Sequence, residues 1–511
     1  MPNILRLILG DQLNSNHPWY QQTDPEVTYM MMEVMQEQQY AHHHVQKILA
    51  FFGAMRNFAH QLGKVGHKVI YIKLDDPGNT QDFEGNLNNI IQQQHIQKFE
   101  YQLPDEYRLD EQLKGICKNL PVETSFTDTE HFLTRRHDVK DFFGDKKSYL
   151  MESFYRHMRT RTGIMMQGDD PLGKRWNYDA DNRNKYDGKV PLVPPVAYNH
   201  DVSALKQMID RMGVNYFGSV DAEHLEWPLS RNEALQSLNY FCEYLLPHFG
   251  TYEDAMLQHH LSLFHSRMSF ALNTKQIAPA EVINKVVDHW QQHQDEISIA
   301  QAEGYIRQIM GWREFMRGVY WAQMPGLQRK NYFNHQNEAP HWYWDGQTKM
   351  NCLHKCIGQS LEHAWAHHIQ RLMVIGNFSL IAGLHPDGVD AWYLGVYVDA
   401  IQWVEITNTR SMSQFADGGL IASKPYASTA AYINKMSDYC KHCYYDYKKR
   451  YGDRACPFNS LYWNFLDRNA DKLKGNPRIG MAYKHLDNMS REELERVNEQ
   501  AAMYIDNLEN L

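Results

Sequence analysis

The densest group of reactive side chains is a set of cysteines towards the end of the sequence. Cys440 and Cys443 are separated by two residues, Cys456 follows and precedes a proline, and Cys352 and Cys356 stand upstream. Thiolates grouped in this way bind zinc or an iron-sulfur cluster, each of which takes four ligands. The spacing predicts a metal site rather than an incidental pair or a redox pair. It leaves open which metal binds and which upstream cysteine takes part.

A second candidate group is the histidine-rich segment 362–368. His363 and His367 are one helical turn apart and could share a metal ion, although ordinary helix histidines are the simpler interpretation. The segment has no HExxH motif. His367 and His368, beside Trp365 in a predicted helix, fit another role, the donation of protons or hydrogen bonds to a substrate in a cleft. The histidine tract 42–44 is predicted to open a helix on the solvated surface.

Four segments place hydroxyl, arginine and aromatic side chains near predicted helix starts. They are residues 250–256, 263–273, 306–321 and 391–405. Helix starts and arginines suit phosphate groups, and oxidisable rings suit a redox cofactor. Each segment alone is compatible with helix core. Together they predict a site for a large redox cofactor.

Composition excludes several classes of protein. The 511 residues include 52 Lys and Arg against 61 Asp and Glu, a net charge of −9 that argues against a polybasic binder. Mean hydropathy is −0.62, no long apolar run could cross a membrane, and the first residues lack a signal peptide, so we expect a cytoplasmic protein. An odd number of cysteines, seven, argues against a disulfide framework. Cys117 and Cys242 are predicted to be inert core residues.

The elements that must position these groups fall into three regions. Residues 1–130 alternate short apolar strands with helical patterns, which predicts a doubly wound α/β domain with a parallel sheet. Residues 131–200 read as a long linker in which Trp176 and Tyr178 should dock onto the protein. Residues 201–511 show helical periodicity with few strand signals. We therefore predict an α/β domain followed by a larger all-α domain.

Ligands of doubly wound sheets bind beyond the carboxyl ends of the strands. In the α/β domain those ends carry Gly10, Asp11, Gln12, Glu37 and Tyr40. No GxGxxG motif follows the first strand, so a dinucleotide is not expected there.

The same segments, in this order, resemble the photolyase/cryptochrome superfamily over nearly the whole chain. GWREFMRG at 311–318 is similar to the core motif of its flavin domain. LGDQL at 9–13, the run from Met32 to Ala59, RWNYDADNR at 175–183 and the cysteine set resemble the prokaryotic (6-4) photolyases, also called iron-sulfur bacterial cryptochromes and photolyases.

This resemblance implies a photolyase-like fold with FAD, a 4Fe-4S cluster and a 6,7-dimethyl-8-ribityllumazine antenna. The implied cluster ligands are Cys352, Cys440, Cys443 and Cys456. The implied antenna residues are Gly10, Asp11, Gln12, Glu37 and Tyr40. The implied FAD residues are Tyr252, His265, Ser266, Arg267, Met268, Ser269, Asp399 and Glu405, the last standing where common photolyases place an Asn. The implied electron carriers are Trp344, Trp392 and Tyr393.

The resemblance also implies a function, the light-driven repair of (6-4) photoproducts in UV-damaged DNA by a monomer. His367 and His368 would transfer protons, and Tyr426 would line the pocket. Candidate phosphate contacts are Lys174, Arg175, Arg183, Lys441, Lys448, Lys449 and Arg450, and Asp179 with Asp181 could attract a divalent cation. The alternatives are a cryptochrome without repair, a cyclobutane dimer photolyase, and a cysteine-cluster nucleic-acid-binding protein without catalysis.

Overall fold

The computed structural model describes residues 3–511. Its first part contains a five-stranded sheet in which every neighbouring pair is parallel, in the order β3-β2-β1-β4-β5. The strands are β1 (Ile4–Leu7), β2 (Val27–Met32), β3 (Lys68–Ile72), β4 (Lys98–Gln102) and β5 (Glu123–Thr127). All five predicted strands are confirmed. Strand order reverses between β1 and β4, so a crevice opens at their carboxyl ends.

Helices cover both faces of the sheet. Helix α1 (Val45–Lys64) shares one core with Tyr29 and Met31. Helices α2 (Phe83–Gln94) and α3 (Tyr107–Asn119) share the other core with Leu5 and Leu7. Alternate side chains of a strand point to opposite faces, which explains why both faces are apolar. The doubly wound prediction is confirmed.

The remainder of the chain is mainly helical. The longer helices are α4 (Met151–Thr162), α5 (Ser203–Arg211), α6 (Arg231–Tyr240), α7 (Pro279–Gln292), α8 (Ile299–Ile306), α9 (Glu314–Gln323), α10 (Asn351–His363), α11 (Pro386–Val396), α12 (Pro457–Arg468), α13 (Gly480–Asp487) and α14 (Arg491–Asp506). The π-helical segments are Phe241–Leu245, Arg307–Arg313, Gln370–Gly376 and Thr407–Ser413. Such segments are frequent at functional sites. Among residues 3–511, no helix has the length and apolar character that crossing a bilayer requires.

The region predicted as a linker is only partly irregular. Helix α4 lies within it, which the sequence analysis missed. The irregular part is docked as expected, because the Trp176 carbonyl accepts a hydrogen bond from Arg159 and the Tyr178 amide donates to Glu303. Helix α5 packs its apolar side chains into the core that contains α1, which bears on the domain boundary predicted at residue 200.

A buried ion network joins the sheet to the helical part. Asp105, in the loop after β4, lies 3.0 Å from Lys275 Nζ and 3.1 Å from Arg317 Nη2, and all three side chains are at most 2 % exposed. Burial would raise the pKa of Asp105, but the two cations outweigh it and hold the pKa well below its ordinary range.

We expect Asp105→Asn to destabilise the protein by roughly 3–5 kcal/mol, because it leaves two buried cations without their shared anion. Asp145→Asn, at an exposed pair with Lys140, should change stability by less than about 1 kcal/mol. Urea unfolding of both variants at pH 7 measures the difference. Equal midpoints would show that the network contributes little.

Candidate functional site

Four of the five candidate cysteines surround one small apolar cavity. Cys352, at the start of α10, and Cys456, just before α12, face Cys440 and Cys443 from the intervening loops across a cavity of about 320 Å³. Burial, together with the neighbouring Cys443 sulfur, raises the pKa of Cys440 to about 12. A bound cation would stabilise the thiolate forms here.

The spacing of these sulfurs is wider than one metal ion requires. Sulfurs that bind a single zinc at ~2.3 Å in a tetrahedron lie roughly 3.8 Å apart. Within residues 3–511, the cysteines form no group of three whose sulfurs lie within 4.8 Å of one another. Cys356 is outside the cavity wall, and its buried thiol donates to the Tyr439 hydroxyl at 3.6 Å. The arrangement therefore suits a multi-iron cluster held by the other four.

The carboxyl edge of the sheet opens into a cleft of about 940 Å³ against the helical part. Gly10, Asp11, Glu37 and Tyr40 line it, as predicted from strand topology. Gln12 does not: it is fully buried, accepts from the Leu9 amide and donates to the Gln102 carbonyl. Its role is to hold the loop after β1.

The charged groups of the cleft are mostly paired. Glu37 accepts two hydrogen bonds from Arg108, at 2.9 and 2.7 Å, and Asp11 lies 2.8 Å from Lys275 Nζ. Burial raises the pKa of Glu106 to about 7 despite the nearby Arg108. The cleft thus offers apolar walls and a few oriented polar groups, as pockets for small organic molecules do.

A buried ion cluster lies in the helical part. Arg371 makes two hydrogen bonds to Asp399, both 3.1 Å long, and its guanidinium is 3.8 Å from Glu405. Ser269 also donates to the Asp399 carboxylate. Burial raises the pKa of Glu405 to about 7, although Arg371 opposes the shift. This side chain can therefore change charge near neutral pH.

Glu405 should make stability depend on pH. Its pKa is about 7 in the folded protein against an ordinary 4.5, so its contribution is present at low pH and is lost as pH rises through about 7. We expect Glu405→Gln to flatten the fall in Tm between pH 5 and pH 8. Glu499→Gln, on the exposed face of α14, is the control. An unchanged Tm profile in Glu405→Gln would contradict the shift.

Three histidines form a compact group. The rings of His265 and His367 stack, with centroids 4.5 Å apart and planes inclined by 18°. His265 Nε2 lies 3.3 Å from His368 Nδ1, and His368 Nε2 lies 3.7 Å from Asp254. Burial would raise the pKa of Asp254, but the hydrogen bond with His368 outweighs it and the pKa is lowered. The group can hold and pass protons.

This grouping differs from the one predicted around residue 363. Helix α10 ends at His363, and Ala364 adopts a left-handed conformation with φ of 50°. His363 and His367 are therefore not neighbours on one helix face, and the shared-ligand pairing is wrong. Helix α10 places His367 and His368 in the turn that follows it, where they meet His265 instead.

The segment before the short helix Ser269–Asn273 supplies the predicted flavin residues. Arg267 has a φ of 52° and lies 4.7 Å from the Trp227 ring, while Met268 is buried. Ser266 accepts from the Tyr305 hydroxyl at 3.0 Å, and Tyr252 donates to Asp187 at 3.2 Å.

Several buried polar atoms in this neighbourhood have no hydrogen-bond partner within residues 3–511. They are Glu253 Oε2, Ser262 Oγ, Arg267 Nε and His367 Nδ1. Buried polar groups are nearly always paired, so orphaned ones indicate a polar ligand. Tyr426 lies near Arg183 and Asp254, beside the same group, and burial raises its pKa.

The aromatic residues form a connected path. Trp392 contacts Tyr343 and Tyr393, each with ring centroids 5.3 Å away, and Tyr393 donates to the Arg371 carbonyl at 2.6 Å. Trp344, 40 % exposed, instead contacts His42 and Phe217. Tyr343, which the sequence analysis did not select, stands where the path continues from Trp392.

The predicted DNA-contacting cations differ in their surroundings. Lys174, Lys441, Lys448 and Lys449 are exposed. The arginines pair with acids: Arg175 with Asp181, Arg183 with Asp179, and Arg450 with Glu493. Asp179 and Asp181 are thus bound to arginine and do not converge as a cation site within residues 3–511.

Sequence reasoning missed two residues that organise the site. Arg371 binds Asp399, and Asp254 lies beside His368. Arg371 follows the histidine pair within an apolar run, and Asp254 stands inside segment 250–256 without a motif of its own. A charged residue inside an apolar helical run was the available signal for Arg371.

The chain is similar to known proteins along its whole length. A family model described as deoxyribodipyrimidine photo-lyase-related protein matches residues 6–225. A (6-4) photolyase of Agrobacterium fabrum is 39% identical over 508 residues, 99% of each chain. Among solved structures, a bacterial class III photolyase from Agrobacterium tumefaciens has a TM-score of 0.57 at 14% identity, covering 96% of this chain and 98% of that one. A Synechocystis cryptochrome has a TM-score of 0.52 at 13% identity, covering 80% and 82%.

The parallel sheet, the helical part and the buried site define a protein of the photolyase/cryptochrome class, whose fold the solved structures share. Within that class the chain belongs to the prokaryotic (6-4) photolyase family, because its similarity to the Agrobacterium fabrum protein covers both chains almost completely. The resemblance and the fold class predicted from sequence are confirmed, and the family implies FAD.

Proposed function

We propose that this protein repairs (6-4) pyrimidine-pyrimidone photoproducts in DNA by using light. The observation that carries the proposal is the junction of two groups. Arg371 Nε donates to the carbonyl of Ala366 at 2.7 Å, which places the Asp399 and Glu405 cluster next to His367. Ionisable groups suited to a flavin therefore adjoin histidines suited to proton transfer.

Bound in reduced form and excited by blue light, FAD would supply one electron to the lesion. The orphaned polar atoms of segment 253–267 and the Ser269, Asp399 and Arg371 contacts fit a polar, anionic cofactor. The lesion must leave the base stack to reach such a site, and a damaged pair opens at lower cost.

The histidines perform the acid–base part of the reaction. Repair of this lesion returns a hydroxyl group to its original base, which requires a proton to move. His265 Nδ1 faces the Ser262 carbonyl at 2.9 Å, which orients its Nε2 towards His368. Asp254 orients His368 from the other side. Tyr426 forms part of the surrounding wall.

We extend the proposal to the two further cofactors. Cys352, Cys440, Cys443 and Cys456 would bind the 4Fe-4S cluster, in support of which their sulfurs line one cavity with wide spacing. The cleft at Gly10 would bind the ribityllumazine antenna, supported by its volume and mainly apolar walls. Trp392 and Tyr393, with Trp344 towards the surface, would conduct electrons to the flavin. A monomer in the cytoplasm, divided near residues 130 and 200, remains our prediction.

The direct test is illumination of the reduced holoprotein with an oligonucleotide that carries one (6-4) photoproduct. We expect intact thymines in the light and none in the dark. A matched oligonucleotide with a cyclobutane dimer should remain damaged. Repair of the cyclobutane dimer alone would assign the other lesion, and flavin photoreduction without any repair would indicate a light receptor.

Arg183, 52 % exposed and 3.9 Å from Asp254, stands at the edge of the histidine group. If it contacts a DNA phosphate, Arg183→Gln should weaken binding of damaged duplex and reduce the slope of log affinity against log salt by about 1. Lys64→Gln, an equal charge change at the exposed end of α1, is the control. Affinity that does not fall with salt would exclude phosphate contacts.

A further inference from the structure

The three histidines have the arrangement of a transition-metal site. His265, His367 and His368 each bring a ring nitrogen within 4.8 Å of the others. The 3.3 Å between His265 Nε2 and His368 Nδ1 equals the separation of two nitrogens bound to tetrahedral zinc at ~2.0–2.1 Å, which is about 3.3 Å. His367 contributes a buried Nδ1 that has no partner within residues 3–511.

From this geometry we propose that His265, His367 and His368 bind one zinc ion, or a similar divalent ion that prefers imidazole. Imidazole nitrogens suit zinc, copper and nickel, whereas magnesium and calcium prefer oxygen ligands. Three protein ligands leave the fourth position of a tetrahedral ion for water. The side chain of His368 is 44 % exposed, which gives the ion a path from solvent.

The groups around the rings support this assignment. Metal-binding histidines commonly use their second nitrogen to donate to a carbonyl or a carboxylate. His265 Nδ1 faces the Ser262 carbonyl at 2.9 Å, and His368 Nε2 faces Asp254 at 3.7 Å. Both rings can therefore direct the remaining nitrogen towards the common centre while the other is held in place. Tyr432 donates to Asp254 at 3.3 Å and helps to fix that carboxylate.

A metal at this place would control the reaction, a consequence that rests on the proposed function. The ion would occupy the nitrogen lone pairs that proton transfer needs. Zinc should therefore inhibit repair reversibly, by competing with the lesion for the histidines. It would not act through the cysteine cavity, which belongs to a separate part of the fold.

The test is a zinc titration of the FAD-loaded and iron-loaded protein in the dark, against a coloured chelator. Wild-type protein should bind one zinc ion more than His368→Asn, and His265→Asn should weaken this site at least about tenfold. His363→Asn, on the neighbouring helix end, should leave it unchanged. His289 and His293 form another ring pair, so a double Asn variant removes any contribution from them.

Two measurements separate this proposal from the proposed function. Iron content is determined after each titration, because zinc that displaces iron would report on the cysteines. Equal zinc binding by wild type and His368→Asn overturns the site. Zinc binding that depends on His368 supports the site even if no lesion is repaired. If the protein repairs (6-4) photoproducts and saturating zinc does not slow repair, the inhibitory role is overturned.

Discussion

The His367→Asn variant should repair (6-4) photoproducts at least about 10²-fold more slowly than the wild type, within the ~10²–10⁴-fold range of general acid–base catalysis. The ring is 3 % exposed and stacks on His265, so no other group or solvent molecule can readily take its position. Asparagine retains hydrogen-bonding ability but cannot carry a proton near pH 7. Single-turnover repair under constant illumination measures the effect.

The control for this prediction is His363→Asn. His363 is at the end of α10, its side chain is 35 % exposed, and its only acidic neighbour is Glu362 at 3.8 Å. Both variants should retain bound FAD and reduce it in light at normal rates. Near-normal repair by His367→Asn would refute its proton-transfer role. Loss of FAD from that variant alone would instead assign the ring to flavin binding.

The strands and the cleft could be predicted because their signals are local. Each strand of a covered parallel sheet is a short apolar run, and the ligand position follows from topology. Gly10, Asp11, Glu37 and Tyr40 therefore line the cleft as expected. Gln12 has the same position in the sequence pattern, but its amide is used by the backbone of the loop. Pattern alone cannot separate a lining side chain from one that supports the loop.

The histidine tract 42–44 shows where local polarity is misleading. We predicted a solvated surface, but His43 and His44 are buried. His44 Nε2 hydrogen-bonds with the carbonyl of Leu361 at 2.8 Å, more than 300 residues away. Residues 43–44 also pair with residues 216–217 as a short parallel ladder. Partners so distant in sequence satisfy polar groups in a way that no local pattern reveals.

The end of helix α10 was equally hidden. Helix ends are commonly marked by glycine or proline, yet here Ala364 adopts the left-handed conformation. The Val398 amide donates to the Ala364 carbonyl at 2.9 Å, a contact that fixes the turn from outside the helix. Because this turn sets the direction of His367 and His368, tertiary contacts rather than spacing determine the geometry of the candidate catalytic group.

The second large effect is expected at the cysteines. Cys440→Ser should reduce bound iron from about four atoms per chain to less than about one, since a 4Fe-4S cluster needs all four ligands. The free energy of binding a structural metal also stabilises the fold, by on the order of 10 kcal/mol in small metal-dependent domains. We therefore also expect a low yield of soluble protein. Iron analysis and soluble yield measure the two effects.

Cys356→Ser is the matched control, because Cys356 lies one helical turn after Cys352 and is also buried. Its thiol donates to Tyr439 rather than facing the cavity, so this variant should keep its iron. Helix α10 begins beside the cluster and ends beside His367, which gives the cysteines a route to the repair site. Cys440→Ser protein that remains soluble should therefore also repair more slowly. Iron loss in Cys356→Ser with retention in Cys352→Ser would reverse the ligand assignment.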